Sequence, residues 1–103
     1  MPRVIVNETW IVPANGSRFW TSESNTAETI REKWNTYVNS GKVTFTKNSS
    51  ILENGKIQIV TTSTWNNQSD FNEWQSWYSQ YHTVRDTFNS ENGIIVNRTE
   101  TIE

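Results

Sequence analysis

Residues 65–88, WNNQSDFNEWQSWYSQYHTVRDTF, hold three tryptophans, two tyrosines, two phenylalanines and the chain's single histidine. Wound as an α-helix at about 100° per residue, Phe71, Trp74, Trp77, Tyr78, Tyr81, Val84 and Phe88 fall within one arc of about 140°. A face that wide lies across a sheet, so the rest of the chain has to supply one. Only 33% of the residues are hydrophobic, but six Trp, four Phe and three Tyr make up much of that share. Large rings build a core that the aliphatic residues alone would not. Asn67 is placed to cap the helix with Asp70 in its first turn, the helix runs to about Ser90, and Asn92-Gly93 closes it.

Two residues break the apolar pattern. Arg85 projects inside the arc, between Trp74 and Tyr78, and His82 stands at its edge beside Phe71 and Tyr78. Arg85 has three outlets: it snorkels to water, pairs with a carboxylate on the sheet, or binds an anionic ligand group. Glu8 is one candidate carboxylate, provided its strand face meets the helices. Phe71, Tyr81 and Phe88 read as core, whereas Trp74, Tyr78, His82 and Arg85 read as the edge of a pocket.

The sheet is legible elsewhere. RVIVNETWIV, residues 3–12, is β-branched and alternating, with Val4, Val6, Trp10 and Val12 on one face beside Glu8, and Ile5, Asn7, Thr9 and Ile11 on the other. Pro13-Ala14-Asn15-Gly16 ends that strand. A helix follows with Asn25 as its cap, Glu28 in its first turn and Ala27, Ile30, Trp34, Tyr37 and Val38 as its apolar stripe; Asn39-Ser40-Gly41 ends it. KVTFT and KIQIVTTSTW form a hairpin about Asn54-Gly55. Strict pairing from a two-residue turn puts Phe45 on the wrong face, so a bulge within Lys47–Ser50 is expected to align Val43, Phe45, Leu52, Ile57, Ile59 and Trp65. GIIVNRTETI is the last strand. The order β-α-β-β-α-β predicts a single α+β domain over residues 1–103, a ferredoxin-like split βαβ fold with an antiparallel four-stranded sheet and both helices on one face.

Several functions are excluded or demoted by composition. Nine Lys and Arg against eleven Asp and Glu, with no basic block, argue against nucleic acid. The chain has no Cys and one His, so a thiolate site is impossible and a metal would rest on carboxylates and amides. No apolar run approaches the roughly 20 residues that span a bilayer, and MPRVIVNETW shows no signal peptide, so a cytoplasmic protein is expected. Apolar residues on both faces of the strands predict a homodimer through the sheet face that the helices leave open.

The strand ending Thr64-Trp65, followed by a capped helix with Phe71 and Trp74, resembles the dimeric α/β-barrel superfamily, within it the antibiotic-biosynthesis-type monooxygenases and their haem-degrading relatives. The resemblance implies a dimeric α/β barrel, a pocket for a small hydrophobic or aromatic ligand, and a site formed by Asn7, Trp74 and His82, with Tyr78, Arg85 and Trp65 around the substrate. It turns Asn7 toward the helices and sends Trp10 into the dimer barrel, against the ordinary rule that the greasier strand face meets the helices. Trp74 and His82 are eight residues apart, short of the haem-degrading spacing, and Val84 at the matching offset cannot ligate iron. A cofactor-independent monooxygenase is therefore the implied activity, ahead of a haem enzyme. A non-catalytic ligand-binding dimer and a purely structural dimer are the alternatives.

Overall fold

The computed structural model describes residues 3–15, 18–22 and 24–103; Gly16, the last residue of the break after the first strand, lies outside them. Strand β1 (Val4–Val12) is followed by a 3₁₀ turn (Phe19–Thr21), helix α1 (Asn25–Asn39), strands β2 (Val43–Ile51) and β3 (Ile57–Trp65), helices α2 (Gln68–Tyr78) and α3 (His82–Glu91) and strand β4 (Ile95–Ile102). The sheet runs β2-β3-β1-β4, with every pairing antiparallel. This is the ferredoxin-like arrangement, α2 and α3 together taking the place of its second helix.

β1 sends its greasier face to the helices. Val4, Val6, Trp10 and Val12 are all buried, while Asn7 is exposed on the opposite face, where its Oδ1 accepts a hydrogen bond from the Thr62 hydroxyl at 2.8 Å. The orientation implied by the family resemblance is thereby corrected for both Asn7 and Trp10. The physical reason lies across the ladder: Asn7 is flanked by Thr62 and Thr99, and Thr9 by Val60 and Asn97, a mostly polar surface that water can cover.

The β2–β3 hairpin keeps one uninterrupted register, from Val43 opposite Trp65 to Ile51 opposite Ile57, so the expected bulge is absent. The extra residue sits in the turn instead. Leu52 and Lys56 still pair, Gly55 N–H donates to Leu52 C=O at 2.9 Å, and Gly55 takes φ 82°, the left-handed value a three-residue hairpin loop needs. The three-residue turn brings Val43, Phe45, Ile57, Ile59 and Trp65 onto one face, whereas Leu52 falls on the other.

Ser24, not Asn25, caps α1, its hydroxyl accepting from Ala27 N–H at 3.1 Å. The C-terminus closes with Lys42 N–H on Tyr37 C=O and Gly41 N–H on Val38 C=O, the paired bonds of a Schellman ending, with Gly41 at φ 75°. Asn67 caps α2 as expected, accepting from Asp70 N–H at 2.9 Å. The continuous helix expected to Ser90 is broken by a 3₁₀ turn at Ser79–Tyr81. There the Ser79 hydroxyl donates to Ser76 C=O at 2.7 Å and the Gln80 amide to Trp77 C=O at 2.8 Å, so side chains occupy carbonyls at the break.

Two buried clusters result. One gathers Val4, Val6, Ile30, Tyr37, Val43 and Trp65 with Phe71, Trp74 and Tyr78; the other is Trp10, Val12, Ile59 and Ile94. Phe88 packs against both.

Candidate functional site

Between those clusters the strand registers build a polar row. Lys47 faces Thr61, Thr61 faces Glu8, and Glu8 faces Arg98, one residue from each strand on the helix-facing side of the sheet. Over the row lies a cavity of about 320 Å³, which also touches Arg18, Trp20, Trp34, Trp74, Tyr78, His82 and Arg85. Its volume is at the lower end of the roughly 300–1,000 Å³ typical of small-molecule sites.

The aromatic wall is centred on Trp74. Its ring meets Trp34 and Tyr78 at 5.2 Å, Trp77 at 5.6 Å and Tyr37 at 5.8 Å, mostly in the edge-to-face geometry that aromatic quadrupoles favour. Past Tyr78 the wall turns polar: the His82 ring lies 5.5 Å from Tyr78 and the Arg85 guanidinium 5.6 Å over it. The Arg18 guanidinium stands 4.9 Å over Trp10 on the opposite side. Phe45 and Lys47, both exposed, form the rim on β2.

Trp65, Trp74, Tyr78, His82 and Arg85 all reach this cavity, whereas Asn7 does not. The 3₁₀ turn shifts His82 and Arg85 relative to a continuous helix, yet the ring contact with Tyr78 keeps them on the cavity side. The sequence pointed to Glu8 only as a possible partner of Arg85; it is in fact the one carboxylate lining the cavity among the described residues. Arg18, Arg31, Lys47 and Arg98 were not singled out. The alternation on β4, Val96-Arg98-Glu100, could have flagged Arg98 once the register with Glu8 was known.

Electrostatics follow from burial. Glu8 has its carboxyl pushed above the ordinary carboxylate value by desolvation, against the pull of Arg98, Arg85 and Arg18. Burial likewise lowers His82, with Arg85 adding to it, and raises Tyr78. A raised Glu8 means the folded chain holds that proton more tightly than the unfolded chain. Stability therefore falls as pH rises from the ordinary carboxylate value through the raised one. Glu8→Gln is expected to raise the melting temperature at neutral pH, with the gain vanishing in acid where both states are protonated. Melting curves across that range check this; a lower melting point at neutral pH would show that the arginines outweigh burial.

Chemically, the site can grip a flat ring, accept or give a proton at Glu8, and face an anion with several guanidinium groups. Among the described residues no group of three or more His, Asp or Glu could hold a metal ion. Val84, at the offset where the resemblance implies a haem ligand, has no ligating atom and is 48% exposed, and the His82 ring lies 5.5 Å from that of Tyr78. No helix of the described residues is long and apolar enough to cross a membrane.

Fold and site together define a ferredoxin-like domain with an aromatic, cation-lined cavity between its helices and sheet. The chain is similar over its whole length to a dimeric ferredoxin-like protein from an uncultured marine organism, with a TM-score of 0.65, 10% sequence identity and 96% of that chain covered. It is also similar to the de novo designed protein Foldit4, with a TM-score of 0.52, 8% identity, and 100% of this chain and 99% of that one covered. No family model and no curated protein sequence matches the chain.

Proposed function

We propose that this protein holds a one- or two-ring aromatic compound in the cavity between helices and sheet, and acts on it in the manner of a cofactor-independent monooxygenase. The observation that carries the reading is an unfilled space of about 320 Å³ inside a shell of tryptophan and tyrosine rings. A cleft of this size, walled by rings and open at the Phe45–Lys47 rim, has the form of a small-molecule site. With Asn7 on the far face, the polar groups lining the cavity beside the Trp74 indole include Glu8, Thr61, Tyr78, His82, Arg85 and Arg98. A non-catalytic ligand-binding protein in the same fold is the second reading, since the same ring-walled cavity would serve it equally.

We also place the protein as a homodimer, joined through the open sheet face. The named dimeric state of the marine neighbour supports this. So do Ile5 and Ile11, partly exposed on that face beside Val60 and Ile95, which are 37% and 55% exposed. Trp10, buried beneath the helices, takes no part.

The test is a tryptophan-fluorescence titration with naphthols and quinols, with oxygen uptake followed in the same samples. Quenching that saturates, and that weakens in Trp74→Phe, is expected; oxygen uptake with a quinol separates enzyme from carrier. Absence of any response across the panel would leave the stripe as core. Sedimentation at twice the 12.0 kDa of the chain, shifted toward that of the single chain in Ile95→Glu, is the expected signature of the dimer.

A further inference from the structure

We infer that the ligand is an aromatic acid, its ring against the tryptophan wall and its anionic group received by Arg85 and Arg98 above the polar row. This rests on the pocket reading given above and narrows it to a substrate class.

The charge of the cavity is opposite to that of the protein. The chain carries a formal net charge of -2. The residues lining the cavity include Arg18, Arg31, Lys47, Arg85 and Arg98 against the single carboxylate of Glu8. Arg31 has a structural task, its Nη1 donating to the carbonyls of Trp20 at 2.6 Å and Ser22 at 2.8 Å. Leaving Arg18 out of the count as well, Lys47, Arg85 and Arg98 are three cations around one acid among the described residues. A low-dielectric cleft lined by one sign of charge concentrates ligands of the other sign.

The guanidinium groups are also held in place. Arg85 is fixed over Tyr78 and bound to Asp86 at 3.0 Å; Arg98 is bound to Glu100 at 2.7 Å. Both partner acids lie outside the cavity lining, and their side chains are 66% and 44% exposed, so they orient the arginines while solvent weakens their neutralising effect. Glu8 itself closes no ion pair with any of these arginines among the described residues. One carboxylate facing Arg85 and Arg98 without closing an ion pair with either leaves room for a second anion. Planar forks suit a carboxylate, which accepts two parallel N–H bonds. The ring wall beside them, from Trp74 to Tyr78, then sets an aromatic body next to an acidic group.

The experiment compares 2-naphthoate with 2-naphthamide, which share the ring system and differ in charge, by fluorescence titration of the full chain at neutral pH. The acid is expected to bind about tenfold or more tightly than the amide, in line with a charge-assisted bond. Added salt should narrow the gap. Arg85→Gln and Arg98→Gln should each weaken the acid by several-fold and the amide far less; melting curves establish that each variant is folded, and Lys47→Gln on the exposed rim serves where one is not. Equal affinity for acid and amide would overturn the inference and leave the pocket reading standing. Binding of neither probe would overturn both.

Discussion

Trp65→Ala is expected to cost about 3–5 kcal/mol, the range of large-to-small changes in a packed core. Trp65 is 1% exposed and stands where the last residue of β3 meets both helices. Its ring lies 5.2 Å from Tyr37, 5.7 Å from Trp34 and 5.8 Å from Phe71, and its strand neighbours Val4 and Val43 are equally buried. None of these rings can swing into the space left behind without abandoning another contact. A domain of this size has a stability of about 5–15 kcal/mol, toward the lower end for a small core, so the variant should sit close to unfolding. Trp74→Ala removes the same side chain from a comparable depth, 6% exposed; Trp65 touches the cavity too, at 1% exposure from the end of β3, whereas Trp74 stands at the centre of the cavity wall, with less packing on that side. Its loss should be clearly smaller. Urea denaturation of the two variants in parallel checks the contrast, and equal losses would mean that the cavity beside Trp74 is closed in solution.

Much of this architecture is legible in the amino-acid sequence. Element order, both glycine-closed helices, the Asn67 cap and the aromatic stripe come from local chemistry that reads directly from the chain. The errors share one cause: each turned on a shift of a single residue or a single turn. The hairpin was phased from Asn54-Gly55 as a two-residue loop, but Gly55 closes a three-residue one, and the Lys47–Ser50 bulge invoked to repair the faces was not needed. The helix over 67–90 was phased as continuous, yet side-chain bonds from Ser79 and Gln80 to the preceding turn interrupt it without any proline or glycine to announce the break. Asn7 and Glu8 are adjacent in sequence, and a choice of strand face exchanges one for the other at the cavity.

The cavity itself was harder to foresee because it depends on register. Lys47, Thr61, Glu8 and Arg98 are far apart along the chain and share a row only once three antiparallel pairings are fixed. Arg85 was conspicuous because it interrupts an apolar arc. Arg98 was not, since an arginine on a final strand is ordinarily a solvated residue.

The assignment of strand faces yields the other large effect. Val4→Glu is expected to unfold the chain: Val4 is 0% exposed between Trp65 and Ile102, and a charge buried there with no partner costs several kcal/mol. Asn7→Glu, three residues along the same strand, should leave the melting temperature within the small range of surface changes, because the side-chain bond it disturbs among the described residues is the exposed one from Thr62. If the open face joins two chains, the same variant should instead appear as weakened association in sedimentation, with like charges brought together across the twofold. Circular dichroism melts of the pair decide the matter. A tolerated Val4→Glu and a destabilising Asn7→Glu would reverse the faces of β1, bring Asn7 into the cavity in place of Glu8, and restore the amide-and-indole site that the family resemblance implies. The expected pattern keeps a carboxylate and its surrounding arginines there, the arrangement on which the proposed aromatic-acid reading rests.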